Sequence, residues 1–567
     1  MEPPLTPEDD GRVHPSSEQE LVALVRWAYE HGAQLRVRGS GHSFPPQIRQ
    51  TDAPGAQDVL DIAMDRYTAL EWIDRDAGII EAEAGCHLAR DPHDPLSSDE
   101  AGLLKALDDA GWALSDLGGI THQTVSGFLS TGSAGGSVRH GIEQNVIALR
   151  IVDGRGEARW VERESTPDDF AAAAVAMGLY GIISKVRFQA VPRYNIMGQE
   201  AITTEEGCRI DLFGDGDSFR PSLQRFLEET EYTRLMWWPQ KGLQRVVVWE
   251  AQRIEPTDDF EPVPYKELGD TPVINQALAA VLLTILGNLD EDKRDASGTA
   301  GLRAAKAKLE PVFETFDEEW GEALQERFGW SGFWADKVSD LVAGFLECGV
   351  DGLLSFPFIN AIGDYVEEHL LDDLIPTIFD PFVPLDEDAR DGQPQTFRNV
   401  WWRGLPMDNG IDDRMMPTWF TEIFIPIERT AEVMRLFREH FERGGIAATG
   451  TFAFEIYASK RTDAWMHASH GQDCLRMDAF WYGYNAGDPC DFFQQYWDLL
   501  RDAGIPFRLH PGKYWPHDPD GSWATWLSQH QPKWNDFIAK RAQWDPRGIF
   551  LNAYWRERLA LRLPAST

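Results

Sequence analysis

The sequence predicts an α+β fold, and three observations lead there. Short helical and strand-like patterns follow one another without the regular βαβ spacing of a doubly wound sheet. The first clear strand pattern runs straight into a glycine turn rather than a crossover helix. At 567 residues the chain exceeds a single ordinary core, and roughly 150 residues per domain suggests about two to four domains. A multidomain enzyme fits that size better than a small binding module.

Taken in order, Ser17 and Glu20 have capping-box spacing, and Leu21, Val25 and Ala28 recur at helical intervals before Gly32. This predicts a helix over 18–31. Gln34-Leu35-Arg36-Val37-Arg38 alternates as a short strand and enters Gly39-Ser40-Gly41-His42-Ser43. Further strand-like runs occupy 79–84, 147–153 and 182–190, while 98–111 reads as a helix closing on a glycine. Pro192 and Arg193 mark a boundary. Residues 234–253 read as a hairpin turning near Lys241-Gly242, and 255–270 and 380–395 as acidic, proline-containing loops. Helical patterns dominate 271–373, followed by a strand at 418–427 and an amphipathic helix over 429–443. No internal repeat is present.

Charge and cysteine content exclude several classes. Asp and Glu total 92 against 53 Lys and Arg, a formal charge of −39, which repels phosphate backbones and anionic bilayers. Nucleic acid and membrane surfaces are therefore not expected as partners. Cys86, Cys208, Cys348, Cys474 and Cys490 are odd in number and lack CxxC spacing, which indicates neither a disulfide framework nor a zinc site and suits a cytoplasmic location. Residues 1–11 contain no apolar signal-peptide core. The uncharged stretch 271–289 is broken by Asn275, Gln276 and Asn288, and so reads as a buried or interfacial helix rather than a membrane span. His467, His470 and Asp473 lack a third imidazole at fixed spacing, so no metal is expected. The 22 tryptophans can fill cores or stack on sugar faces.

Two glycine-rich clusters carry the chemistry. Arg38 to Ser43 and the stretch Ser126-Gly127 through Thr131, Gly132, Ser133, Gly135, Gly136 and Ser137 combine bare backbone with hydroxyls. Successive N–H groups in such turns form anion nests, and two nests can grip the two ends of a diphosphate. Taken alone, each is more often simply a turn, since glycine supplies positive φ wherever a tight turn needs it. Neither is a Walker loop or a GxGxxG fingerprint.

In the order capped helix, strand, RGSGHS, STGSAGGS and GLYGIISKVRF (178–188), the chain resembles the FAD-binding domain of the vanillyl-alcohol oxidase superfamily. RLHPGKYW (508–515) is similar to that family's His-x-Gly-Lys element, and DPRGIFLNAYWRERL (545–559) to its closing stretch. Within the superfamily the likeness is to the sugar-1,4-lactone and alditol oxidase branch. The resemblance implies a two-subdomain, PCMH-type FAD-binding domain over 1–195 and an α+β substrate or cap domain over 196–500. Residues 254–400 form a helical insertion in the cap, and 501–567 return to the flavin site.

The resemblance also implies roles. His42 is the covalent attachment point for FAD or, in the alternative, a loop histidine that hydrogen-bonds it. Arg38, Gly39, Ser40, Gly41, Ser43 and the second cluster cradle the diphosphate, and Gly181, Ile182 and Ile183 line the flavin or adenine pocket. Lys513, beside His510, supplies positive charge near the flavin or activates the substrate hydroxyl. Glu455 matches a family Glu-x-Arg pair, residues two apart on a strand sharing one face. Here the arginine is Tyr457, leaving Lys513, Lys460 or Arg476 to supply the cation, with Tyr457 as a hydroxyl partner. Ala134 likewise stands where many relatives have histidine.

The activity implied is FAD-dependent oxidation of a CH–OH group in a sugar, aldonolactone or polyol, with O2 as acceptor and hydrogen peroxide as product. A quinone- or cytochrome-linked dehydrogenase, an oxidase of a non-sugar alcohol, and a flavin-fold binding protein without turnover are the alternatives.

Overall fold

The computed structural model describes residues 2–49, 59–266, 276, 279, 280, 283, 287, 379, 382–413 and 416–561. The α+β class holds. The first helix, Glu18–His31, begins as the sequence predicts, with Ser17 Oγ accepting from the Glu20 N–H at 3.3 Å, and ends at Gly32 in the left-handed region. The reciprocal half of the capping box is displaced by one residue: Glu20 accepts from the Ser16 N–H at 2.7 Å. Leu21, Leu24, Val25 and Ala28 bury one face of this helix. They share a core with the parallel three-stranded sheet ordered Arg12–Val13, Val59–Ala63, Gln34–Arg38.

A second, antiparallel sheet runs Leu70–Asp74, Ile79–Glu83, Gly181–Gln189, Val146–Asp153, Ala158–Glu162. The helix expected over 98–111 forms only over Leu103–Asp109. Gly102 precedes it in extended backbone, packed so closely on Leu88 that a Cβ would lie 2.7 Å from the Leu88 carbonyl oxygen.

The third sheet has eight antiparallel strands, ordered Gln395–Val400, Asn195–Thr204, Arg245–Ile254, Tyr232–Trp238, Phe454–Ser459, Cys474–Tyr482, Thr418–Pro426, Arg508–Leu509. Helices Thr430–Gly444 and Pro489–Asp502 cover one face, where Phe441 and Tyr496 pack on Phe454 at ring separations of 4.9 and 5.4 Å. Strand alternation sends Met236, Glu455, Tyr457, Arg476, Asp478 and Glu422 to the other face. That face looks onto the glycine loops.

Residues 254–400 are not helical throughout. Gln395–Val400 is the edge strand of the large sheet, paired from Asn195 opposite Val400 to Glu200 opposite Gln395. Phe397 stacks on Trp249 at 5.2 Å, one strand further in. Gly198 lies between them, and a Cβ there would sit 2.6 Å from the Phe397 ring. A four-residue helix, Asp386–Ala389, interrupts the loop expected at 380–395. The helical pattern of 271–373, most of the uncharged stretch 271–289, and Cys348 lie outside the described residues. Among the described residues no helix is long and apolar enough to cross a membrane, and Cys86, Cys208, Cys474 and Cys490 are free and buried.

The closing segment still bonds the large sheet through Arg508–Leu509, His510 and Tyr514, and it meets the first domain from Gly512, whose carbonyl accepts from the Phe44 N–H. Each element of DPRGIFLN has a contact that explains it. Asp545 accepts from the N–H groups of Ile549 and Phe550 at 2.9 and 3.1 Å, and Gly548 takes a positive φ of 67°. The Ile549 carbonyl accepts from the Leu35 N–H at 2.8 Å. Asn552 donates to the carbonyls of Pro46 and Arg49 while capping the helix Ala553–Arg558.

Candidate active site

A cavity of about 510 Å³ lies between the glycine loops and the inner face of the eight-stranded sheet, within the range of small-molecule sites. The first loop enters it directly from strand Gln34–Arg38. Gly41 has φ +92°, which favours glycine, and Gly39 abuts Thr124, whose Oγ1 would be 2.1 Å from an added Cβ. Ser40 Oγ donates to the His122 carbonyl at 2.7 Å. The loop is thereby fixed against the turn that precedes helix Val125–Ser130, whose first N–H groups Thr124 caps.

Of the residues singled out from sequence, Arg38, Gly39, Ser40, Gly41, His42 and Ser43 line the cavity, as do Ser126, Gly127, Thr131 and Ser133 and, from the neighbouring strand, Gly181, Ile182 and Ile183. Glu455, Tyr457, His510 and Lys513 line it from the opposite side. The second cluster divides. Gly132, Gly135, Gly136 and Ser137 do not line the cavity. Gly132 packs on His467 and Val175, and Gly135 on the buried carboxylate of Asp116. Gly136 offers its carbonyl to Thr233 N and Oγ1 at 2.8 and 2.9 Å, and Ser137 Oγ donates to the Glu231 carbonyl at 2.5 Å. These last positions join the first domain to the large sheet, and the bare backbone is needed because Thr233 O would lie 2.0 Å from a Gly136 Cβ.

His42 is poised without a partner. Its Nε2 is buried and makes no hydrogen bond among the described residues. Burial, reinforced by the charges of Lys513 and His122, lowers its pKa to about 4, so the imidazole is neutral near pH 7. Such an orphaned nitrogen at a loop tip, facing a cavity walled by backbone and hydroxyls, fits a bound FAD. Lys513 reaches the same point from the far end of the chain, with Nζ 3.4 Å from the His42 carbonyl and 3.9 Å from the centre of the Phe420 ring. Burial depresses the Lys513 pKa, and Glu422 opposes that shift. Two further bonds fix the turn carrying Lys513: the Phe44 N–H donates to Gly512 O at 2.9 Å and Gln47 Nε2 to Lys513 O at 2.7 Å.

His510 Nδ1 accepts from the Gly512 N–H at 3.0 Å. In the neutral ring this places the remaining proton on Nε2, 4.0 Å from Glu422. Burial lowers the His510 pKa to about 3 against the pull of Glu422. Burial alone would raise the Glu422 carboxyl, but the positive charges beside it, Arg476 foremost and Lys513 with it, outweigh burial and lower its pKa.

Glu455 and Tyr457 share a face as their spacing predicts, and the phenol donates to the carboxylate at 2.7 Å. Burial, with the Glu455 charge added, raises the Tyr457 pKa. The cation facing them is one the sequence does not single out. Arg234, buried on the adjacent strand, meets Glu455 and Asp408 at 2.7 Å each. Arg476 stands over the Tyr457 ring at 4.4 Å and is held by Asp478 at 2.5 Å, by Glu422 at 3.3 Å and by the carbonyl of Ala134 at 2.9 Å. Lys460 is elsewhere, donating to the Arg139 carbonyl. His467 faces Glu143 at 3.0 Å, and among the described residues no His, Cys, Asp and Glu group could hold a metal.

Comparisons with known proteins agree with this geometry. Residues 10–162 match the FAD binding domain family and residues 411–558 the D-arabinono-1,4-lactone oxidase family. A putative D-arabinono-1,4-lactone oxidase of Neurospora crassa is 29% identical over 43% of this chain and 39% of its own length. The L-gulonolactone oxidase of Mus musculus is 26% identical over 43% of this chain and 49% of its own. The chain therefore matches less than half the length of either relative. A cholesterol oxidase from B. sterolicum superposes with a TM-score of 0.59 at 15% identity, covering 96% of this chain and 93% of that one, which shows a shared fold. The glycine loops thus lie in the segment that matches the FAD binding domain family, and Glu422, Glu455, Asp478 and Lys513 in the segment that matches the D-arabinono-1,4-lactone oxidase family.

Proposed function

We propose that this chain is an FAD-dependent oxidase of a carbinol, converting the CH–OH group and O2 to the corresponding carbonyl and hydrogen peroxide. The observation that carries the reading is the meeting of His42 and Lys513, drawn from the two family-matched segments, at one point of the cavity. When bound, FAD supplies the two-electron acceptor for the carbinol hydride and returns the electrons to O2. His42 Nε2, neutral and unpartnered among the described residues, is the nucleophile suited to covalent attachment, and the loops 38–43 and 126–133 hold the diphosphate through N–H groups and hydroxyls.

The chain's own side chains manage the proton and the charge. Lys513, with its lowered pKa, orients the substrate hydroxyl and offers positive charge where negative charge develops. The Glu455–Tyr457 pair, backed by Arg234, accepts and holds the hydroxyl proton. The buried free thiols of Cys86, Cys208, Cys474 and Cys490 suit a reducing compartment, and we place the protein in the cytoplasm.

The test is acid precipitation of wild type and His42→Ala. Yellow wild-type pellets and colourless mutant pellets support covalent attachment. Flavin left in both supernatants refutes the covalent bond, and protein that never contains flavin refutes the oxidase reading.

A further inference from the structure

The inner face of the large sheet is polarised from one end to the other. Across its middle row, strand register aligns Ile202, Val247, Met236, Glu455, Asp478 and Glu422, with the His510 N–H donating to the Glu422 carbonyl. The ionisable members of this row, Glu455, Asp478 and Glu422, lie toward His42 and Lys513, while Arg234, paired with Asp408, and Glu200 belong to the next row. The half of the row reaching away from His42 and Lys513 is aliphatic.

The adjoining row is aromatic. Phe420, under the Lys513 ammonium, stacks on Phe480 at 4.9 Å, and tilted contacts continue from Phe480 to Phe452 at 5.6 Å, Phe452 to Trp238 at 5.6 Å and Trp238 to Phe379 at 4.8 Å. All five rings line the cavity. From the strand of Glu422 to that of Val247 is four strand spacings, about 19 Å. A single lactone ring occupies only a fraction of that run.

A sugar lactone or polyol carries a hydroxyl on nearly every carbon, and each one buried against this wall forfeits its bonds to water without replacement. At the aliphatic end Glu200 and Tyr265 bond each other, and the Arg245 guanidinium is committed to the Val383 carbonyl. Trp238 Nε1 is a buried donor there without a partner among the described residues.

We infer that the substrate is an amphiphilic alcohol: a carbinol delivered to Lys513 and Glu455, attached to an extended apolar body that lies along the aromatic ladder toward Val247. This rests on the carbinol-oxidation reading and narrows it.

The test uses the flavin-loaded enzyme and 10-bromodecan-1-ol, whose bromine quenches a neighbouring indole. Saturable quenching is expected, displaced by decan-1-ol and not by xylitol or L-gulono-1,4-lactone, and lost in Trp238→Phe. Met236→Glu weakens it at least tenfold. In turnover, kcat/KM rises two- to fourfold per methylene from butan-1-ol to decan-1-ol, the increment of a buried methylene group. No saturable quenching, quenching indifferent to both variants, or a higher kcat/KM for L-gulono-1,4-lactone than for decan-1-ol overturns the inference. The two readings fail separately. Flavin reduced by the lactone without quenching by the bromoalcohol leaves carbinol oxidation standing and removes the apolar substrate. Saturable quenching with no alcohol able to reduce the flavin removes carbinol oxidation itself.

Discussion

The ammonium of Lys513 lies 3.4 Å from the carbonyl of His42, 471 residues earlier in the chain. The contact pins the turn after strand Arg508–Leu509 to the turn after strand Gln34–Arg38, so each loop is held in place by the other. Burial makes both side chains easier to deprotonate, so an uncharged imidazole stands beside an amine whose pKa is lowered.

Lys513→Met is expected to retain flavin and to lower the rate of anaerobic flavin reduction by about 10²- to 10⁴-fold, the usual range for a positioned acid–base group. Lys513→Arg restores part of the rate if charge is what matters and none if proton transfer does. Stopped-flow bleaching of the flavin measures both. A Lys513→Met rate within threefold of wild type removes this residue from the chemistry.

Arg234 is buried between Glu455 and Asp408, and its loss removes the cation that both carboxylates face. Arg234→Met should cost about 3–5 kcal/mol of stability, with Glu455→Gln in the same chain recovering part of it. Urea unfolding of the two single variants and the double variant tests the coupling. Additive losses would show that the 2.7 Å contact carries no energy.

His510 predicts a slope of stability with pH. Its pKa is about 3 when folded against about 6.5 in an unfolded chain, so below 6.5 the unfolded state binds the extra proton. Stability is therefore full above pH 6.5, falls as pH drops from 6.5 to 3 at about 1.4 kcal/mol per unit, and is flat below. His510→Asn keeps an acceptor for the Gly512 N–H and should flatten that slope. An unchanged slope in chemical unfolding at pH 4, 5, 6 and 7 counts against a neutral buried His510.

Asp545→Ala removes the acceptor for two buried N–H groups and should destabilise the fold by about 2–6 kcal/mol, given roughly 1–3 for each group left unsatisfied. Limited proteolysis should then release the segment after 545 before the rest unfolds. Resistance equal to wild type would contradict the anchoring role.

Much of the site is legible in the sequence because its parts are local. A strand that runs into Gly39-Ser40-Gly41-His42, or an Asp-Pro-x-Gly turn ahead of Asn552, has a geometry dictated by neighbouring residues. The partners drawn from different strands are not legible in this way. Arg234 faces Tyr457 and Glu455, and Asp478 faces Glu422, only through the register of strands distant in sequence. A lone Arg in a strand pattern gives no hint of which carboxylate it will meet. The same limit explains Gly135, Gly136 and Ser137. Composition shows that they need close approach, and only the fold shows that Asp116, Thr233 and Glu231 are what approach them.

The bond from the Leu35 N–H to the Ile549 carbonyl has a consequence for biosynthesis. The FAD-binding segment, though matched over 10–162, borrows part of its wall from Ile549, far later in the chain. At about 5–20 residues per second, roughly half a minute to two minutes separate translation of the His42 loop from that of its closing strap. The pocket wall around Leu35 is therefore incomplete until the segment carrying Ile549 has been made, and a nascent chain stalled before residue 545 would present the His42 loop in an unfinished pocket.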